Sequence, residues 1–241
     1  MAPVMAEALA LGVGRGERGT MEAVVVIDRP WDRVALLGPR DRALARVWAG
    51  ARLLAEAGYR VLWRREGGTA ALLDTGCLAF CVIRAGQAWE WRRHFAELTA
   101  GVRQGLERLG VPVTFGEAPD TWCPGPYDFL VGTRKLGGVA QAIRQGYTLV
   151  GGIVPVHQDR HRVASLLEQF YAAAGSPRRI ASDATITVAE WLGRPVTVDE
   201  VARAILTTYA AAGPVVLQPS EADWQRAEAL YAERLVLAPP V

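Results

Sequence analysis

Cys123 is followed directly by Pro124, Gly125 and Pro126. Nothing else in the chain restricts its path as strongly. Two prolines, each with fixed φ and no N–H, flank a glycine, and such a run fits neither a helix interior nor a central strand. The backbone must turn here, and the cysteine is held on a stiff loop. Next, Tyr127, Phe129 and Val131 alternate with Asp128, Leu130 and Gly132, which is the period of a short strand. Gly132-Thr-Arg134 then predicts a tight turn into a second strand over residues 135–141. A hairpin of this kind can bring Lys135 back beside the cysteine.

Two readings of the Cys123–Lys135 pair stand on the residues alone. A free thiol has a pKa of about 8.5, and a nearby cation lowers it and raises the thiolate fraction. Lys135 is then that cation, or it polarises the carbonyl of a bound acyl group. Alternatively, Cys123 is a small turn residue and Lys135 a solvated hairpin charge.

Arg64-Arg-Glu-Gly-Gly-Thr-Ala-Ala-Leu-Leu-Asp74 is the second informative stretch. Two arginines and a glycine pair at the end of a strand make either a loop of close approach or a solvated charged turn.

Trp122-Cys-Pro-Gly-Pro-Tyr-Asp-Phe129, with Arg134-Lys-Leu-Gly-Gly-Val-Ala-Gln141, resembles the lipoyl amidotransferase family. Its members are octanoyl-[glycine cleavage H protein]:protein N-octanoyltransferases of the biotin/lipoate protein ligase superfamily. The family pattern is Tyr-Cys-Pro-Gly-Ser-Tyr-Asp-Leu, then Lys-Phe-Ala-Gly-Ile-Ser-Gln. Pro126 replaces the serine, and Ala142-Ile143 stands where basic residues are usual.

The resemblance implies that Cys123 is the acyl-accepting nucleophile and Lys135 the active-site lysine. An octanoyl or lipoyl group would pass from the glycine cleavage H protein to Cys123 as a thioester. It would then pass to a lysine of the lipoyl domain of a 2-oxoacid dehydrogenase E2 subunit. The Arg64–Gly68 stretch resembles the superfamily's Arg-Arg-x-x-Gly-Gly loop, which lines the acyl tunnel. That places Arg64, Arg65, Gly67 and Gly68 at the acyl chain, together with Gly137, Gly138 and Val139. Amides near Gly137 and Gly138 are candidate oxyanion donors. Ligases and acyl-carrier-dependent transferases usually carry His-Asp where this chain has Leu73-Asp74, as the amidotransferases do. Asp74 therefore joins the candidate site residues. The alternatives are an octanoyl-acyl carrier protein donor, an ATP-dependent lipoate ligase and a non-catalytic carrier-binding module.

Other motifs carry less. Gly14-Arg-Gly-Glu-Arg-Gly19 matches G-x-G-x-x-G, but it follows a helix and precedes a strand. A phosphate-binding turn needs the reverse order. Cys77 and Cys81 share one face of a strand and are expected in the core. His157 and His161 lack a third ligand and are expected to be solvated; His94, the one nearby candidate for a general base before the cysteine, is expected at the surface. No metal site and no cofactor are expected.

Alternation and capping predict helices over 3–12, 42–57, 91–109, 160–174, 187–192, 198–212 and 219–235. Ala43, Val47, Gly50, Leu53 and Leu54 form the expected buried face of the second. Strands are expected over 23–27, 34–38, 59–63, 110–115 and 147–156. Without a regular βαβ rhythm, the fold expected is α+β, with mixed or antiparallel sheets flanked by helices. Residues 1–185 would form the catalytic domain of the biotin/lipoate ligase type, and 186–241 a C-terminal helical extension.

A net charge of +2 with scattered Lys and Arg gives no nucleic-acid footprint. Three cysteines indicate no disulfide framework and a reducing compartment. With no basic n-region and no apolar run long enough to span a bilayer, a cytoplasmic location without membrane association is expected.

Overall fold

A computed structural model describes residues 2–17, 24–30, 32–86, 91–212 and 219–237. Helix α1 (Ala2–Gly14) leads to β1 (Val24–Asp28) and β2 (Val34–Leu37). A 3-10 turn, Pro39–Ala43, precedes α2 (Val47–Glu56), β3 (Arg60–Trp63), β4 (Ala71–Leu73) and β5 (Cys77–Ala85). Then come α3 (Trp91–Leu98), α4 (Ala100–Arg108), β6 (Thr114–Gly116), β7 (Asp128–Val131), β8 (Arg134–Arg144) and β9 (Tyr147–Pro155). The last elements are α5 (Arg160–Ala173), α6 (Val188–Leu192), α7 (Val198–Ala212), α8 (Glu221–Arg234) and β10 (Leu235–Leu237).

The strands form two sheets. The larger is antiparallel, in the order β1-β5-β9-β8-β7-β6. The smaller has the order β10-β3-β2-β4, with β2 and β3 parallel. This is the expected α+β class. Register places Asp28, Ala79, Ile153 and Gly138 in one row across the large sheet, and Val26, Cys81, Gly151 and Ala140 in another. Residues two apart on a strand face the same side. The glycines and alanines of these rows leave a slot on one face, roofed by Leu36, Leu62, Ala71 and Leu73 of the small sheet.

Helix α1 is apolar almost all round because it is covered on two sides. Val4, Met5, Ala8, Leu9 and Val13 are buried, with α8 on one flank and β5 and β9 on another. Helices α4 and α7 pack together through missing side chains. A Cβ on Gly105 would lie 2.6 Å from the backbone of Ile205, and one on Gly101 equally close to the Tyr209 ring.

Several expectations need correction. The helix expected over 42–57 begins only at Val47, because Pro39–Ala43 forms a 3-10 turn. Ala43 is exposed and Leu53 half-buried, and Ala51 and Ala55 complete the buried face instead. The helix expected over 91–109 breaks at Thr99, whose hydroxyl donates to Phe95 O at 2.5 Å. The Phe95 carbonyl keeps its helical donor, Thr99 N at 3.3 Å, but the neighbouring Leu98 carbonyl accepts from the Tyr209 hydroxyl instead.

The strand expected over 110–115 is confined to Thr114–Gly116. Strand β10, unforeseen, pairs antiparallel with β3. At the start of α7 the sequence Thr197-Val-Asp-Glu200 predicts a capping box; the Thr197 hydroxyl accepts from Glu200 N, while the Glu200 carboxylate pairs with Arg194. Of the strand expected over 23–27, residue 23 lies outside the described residues, as do 18 and 19 of the glycine-rich motif. Among the described residues no helix is long and apolar enough to cross a membrane.

Candidate active site

The turn at Cys123 sits between the end of β6 and the start of β7, against the loop joining β3 to β4. Among the described non-glycine residues Cys123 alone has a positive φ, 42°. Such a conformation costs roughly 1–3 kcal/mol and persists only when its surroundings enforce it. The enforcing group is Lys135, which is 1% exposed. Its Nζ donates to Trp122 O at 2.7 Å and to Cys123 O at 3.0 Å, and pairs with Asp128 Oδ2 at 2.8 Å. All three donors of the ammonium are thereby used. Nζ also lies 4.2 Å from the centre of the Trp122 ring. Asp128 completes the turn by accepting from Gly125 N at 3.1 Å.

Lys135 therefore grips the backbone of the cysteine turn, and Arg64 is the cation on the sulfur. Arg64 Nη2 lies 3.2 Å from Cys123 Sγ, and Thr69 N donates to the same Sγ at 3.2 Å. Arg64 is itself held by Thr69 O at 2.9 Å. Burial alone would push the thiol up. Arg64, then Lys135, then the Thr69 amide oppose it, and the thiol is held below its ordinary value. Burial lowers Lys135 against the pull of Asp128. Burial likewise raises Asp128, to about 6, against the pull of Lys135.

Gly68 makes the close approach possible. Its φ is +100°, and a Cβ there would lie 2.5 Å from Cys123 Sγ and 2.8 Å from Arg64 Nη2. One further polar atom at this point, Arg64 Nε, is buried without a hydrogen-bond partner.

Cys123, Arg64 and Trp122 line the slot between the sheets. From the Gly138 row beside Trp122, the slot passes the Ala140–Gly151–Cys81 row towards α1, whose Val4 and Glu7 also line it. Gly138 and Val139 lie along it. Arg65 lines it too, tied to Glu7 at 2.6 Å, and Glu7 is further fixed by Arg234 at 3.0 Å.

Four of the expected acyl-site residues do not line the slot: Gly67, Gly68, which lies against the sulfur instead, Gly137 and Asp74. Gly67 points its amide at Gln141 O and does not line the slot. Gly137 lies within the β7–β8–β9 ladder, where a Cβ would strike Ile153 O at 2.5 Å. The amide on the sulfur is Thr69's, in place of one from Gly137 or Gly138. Asp74 is distant because β4 starts near the thiol and carries the chain away from it. Its carboxylate accepts from Gly76 N at 2.8 Å and faces a separate polar recess with Arg33 and His157.

His94, expected at the surface, is 3% exposed, with Nδ1 3.2 Å from Gln141 Nε2. His157 precedes α5, and both it and His161 are exposed. Among the described residues no group of His, Cys, Asp and Glu could hold a metal. Thr69, Trp122 and Asp128 are site residues that sequence reasoning missed. One available signal was composition, since Lys135 is the single lysine among 27 basic residues. Arginine serves everywhere else, and a planar guanidinium does not fit the three converging acceptors that the compact ammonium meets here.

Comparison with known proteins bears on the family and the fold. Residues 16–210 match the family of the lipoyl protein ligase A/B catalytic domain. The chain is 29% identical over 216 residues to a Bacillus velezensis protein named octanoyl-[GcvH]:protein N-octanoyltransferase, covering 84% of this chain and 73% of the relative. It is also 29% identical to the protein of the same name from Geobacillus kaustophilus, covering 86% and 75%. Its fold matches that of a putative lipoate protein ligase from T. acidophilum, with a TM-score of 0.72 at 21% identity, over 97% of this chain and 89% of that one. The match extends over most of the sequence and includes both loops that meet at Cys123, so the chain belongs to the lipoyl protein ligase A/B catalytic-domain family.

Proposed function

We propose that this chain is a cysteine-dependent acyltransferase of protein lipoylation. It takes an octanoyl or lipoyl group from a lysine of the glycine cleavage H protein and delivers it to a lysine of an E2 lipoyl domain. The observation that carries the reading is the sulfur of Cys123, bonded by Arg64 and the Thr69 amide at the edge of an apolar slot. The names of the two bacterial relatives support the donor.

In the first half-reaction the thiolate attacks the amide carbonyl of the acylated lysine. A C–S bond forms, the C–N bond breaks, and the departing amine takes up a proton. In the second, the acceptor lysine attacks the thioester carbonyl, a C–N bond forms, the thiolate leaves, and the new amide gives up a proton. Splitting one amide exchange into two attacks is what covalent catalysis supplies. Arg64 and Thr69 support the sulfur while it is charged. When charge moves to the carbonyl oxygen, the same groups, with the unpartnered Arg64 Nε, are the donors nearest to it. Each methylene buried in the slot is worth about 0.8 kcal/mol, so slot depth reads chain length.

The test is intact-mass analysis after mixing the protein with octanoylated H protein without ATP. An octanoyl adduct that disappears in Cys123→Ala is the expected result. Loading only from octanoyl-acyl carrier protein would change the donor. A need for ATP would make the chain a ligase. Acyl transfer that survives Cys123→Ala would remove the thioester altogether.

A further inference from the structure

Behind the sulfur lies a fully buried tyrosine–carboxylate pair that the transfer steps above do not use. Tyr171, on α5, and Asp41, in the 3-10 turn after β2, are each 1% exposed. The Tyr171 hydroxyl donates to Asp41 Oδ1 at 3.2 Å, and Asp41 Oδ2 accepts from Gly38 N at 2.8 Å. The same hydroxyl accepts from Ala70 N at 3.1 Å. Ala70 directly follows Thr69, whose N–H rests on Cys123 Sγ. Gly38, the residue capped by Asp41, sits under Gly68, and a Cβ on Gly38 would lie 2.2 Å from Gly68 O. Both contacts of the pair thus reach the 68–70 backbone, one through Ala70 N and one through Gly38. Arg178 closes the outer side, its guanidinium carbon 3.4 Å from the centre of the Tyr171 ring.

A buried hydroxyl and carboxylate are costly unless each is bonded. Packing alone would be met as well by phenylalanine and leucine. Their hydrogen-bonding capacity is spent instead on fixing one stretch of backbone. We infer that Tyr171 and Asp41 are positioning residues, which hold the Thr69 amide against the Cys123 sulfur. The chain of action runs Asp41 to the Tyr171 hydroxyl, to Ala70 N, to the peptide before it, to the thiolate. This rests on the reading of Cys123 as the reacting group and adds two residues, remote in sequence, that set its reactivity.

The test uses the full chain and reads the thiol directly. The rate of Cys123 alkylation by iodoacetamide is followed against pH, with peptide mapping to confirm the site. Tyr171→Phe keeps the ring and removes only the hydroxyl. Its alkylation midpoint should move to higher pH, making alkylation at pH 7 about three- to tenfold slower. Asp41→Asn, which keeps the shape but loses the charge, should move it in the same direction. Tyr209→Phe, which removes a hydroxyl bonded to Leu98 O elsewhere in the fold, should leave the profile where it was. A merely structural role would lower the melting temperature of Tyr171→Phe without moving the midpoint. An unmoved midpoint in either site variant, once it is shown to be folded, overturns the inference. An equal shift in Tyr209→Phe overturns it as well. No acyl donor enters this measurement. A wild-type protein that fails to take octanoate from H protein would therefore sink the transfer reading and leave this one standing.

Discussion

The three cysteines have the same side chain and opposite surroundings. Cys77 and Cys81 lie in β5, Cys77 wholly within the core and Cys81 buried in the wall of the slot. Burial pushes both thiols up; the carboxylate of Asp74 adds to this at Cys77, and that of Glu66 at Cys81. Cys123 is also largely removed from water, and burial is the largest single influence on it too. There, however, a guanidinium, an ammonium and a backbone amide are gathered round the sulfur and outweigh burial. A thiol is thus made inert or reactive by the charges and donors placed against it more than by its depth. The loop makes the difference. A ladder strand spends its amides on its neighbours, whereas the turn around Gly68 leaves the Thr69 amide free to meet the sulfur.

Alkylation should divide the three most sharply. Native protein treated with iodoacetamide at pH 7 should be labelled at Cys123 at least about 100-fold faster than at Cys77 or Cys81, which should react only on unfolding. Peptide mapping reads this directly, and equal labelling would erase the contrast. Lys135→Ala comes next. It leaves the buried Asp128 carboxylate unpaired and frees the strained turn, at a cost of roughly 3–5 kcal/mol. For a chain of this size that is a fall of about 6–20 °C in melting temperature.

Arg64→Met then tests the sulfur's nearest cation. A charged hydrogen bond is worth roughly 1.5–3 kcal/mol, so alkylation at pH 7 should slow by about 10- to 160-fold and its midpoint should rise. The sign follows from the thiolate being the reactive form. Holding the thiol below its ordinary value brings reactivity in at lower pH, and removing Arg64 gives that gain back.

The smallest effect concerns Asp128. Its carboxyl, raised to about 6, keeps a proton that the unfolded chain would release near 3.8. Its contribution to stability is therefore full below 3.8 and declines as pH rises through 6. Carboxyl NMR should give a midpoint near 6, and one near 3.8 would mean that the site is wetter than the structure shows.

Much of the site was legible because it is local. Pro124, Gly125 and Pro126 compel a turn whatever surrounds them, and the hairpin that follows returns Lys135 to it. The positions of Arg64 and Gly68 were readable as a loop of close approach. The error over Asp74 has a geometric cause, since three residues of strand carry it away from a loop that in sequence it adjoins. The error over His94 has another. A polar residue among arginines at a helix start reads as solvated, yet Gln141 of β8 was there to bond it. Asp41 and Tyr171 each stand in recognisable local stretches, but 130 positions separate them, and no local window could pair them.

By itself the sequence determined where the backbone must bend, which residue types stand at the bend, and the α+β alternation around them. Those properties follow from dihedral restriction and hydrophobic period, which act over a few neighbours. Only the tertiary structure decided that Arg64, and not Lys135, touches the sulfur, that Thr69 supplies the amide, and that the slot runs from Cys123 towards α1. Hydrogen bonds and Coulomb contacts are set by distances of a few ångströms in space, and strands from remote parts of the chain must first pair to fix those distances.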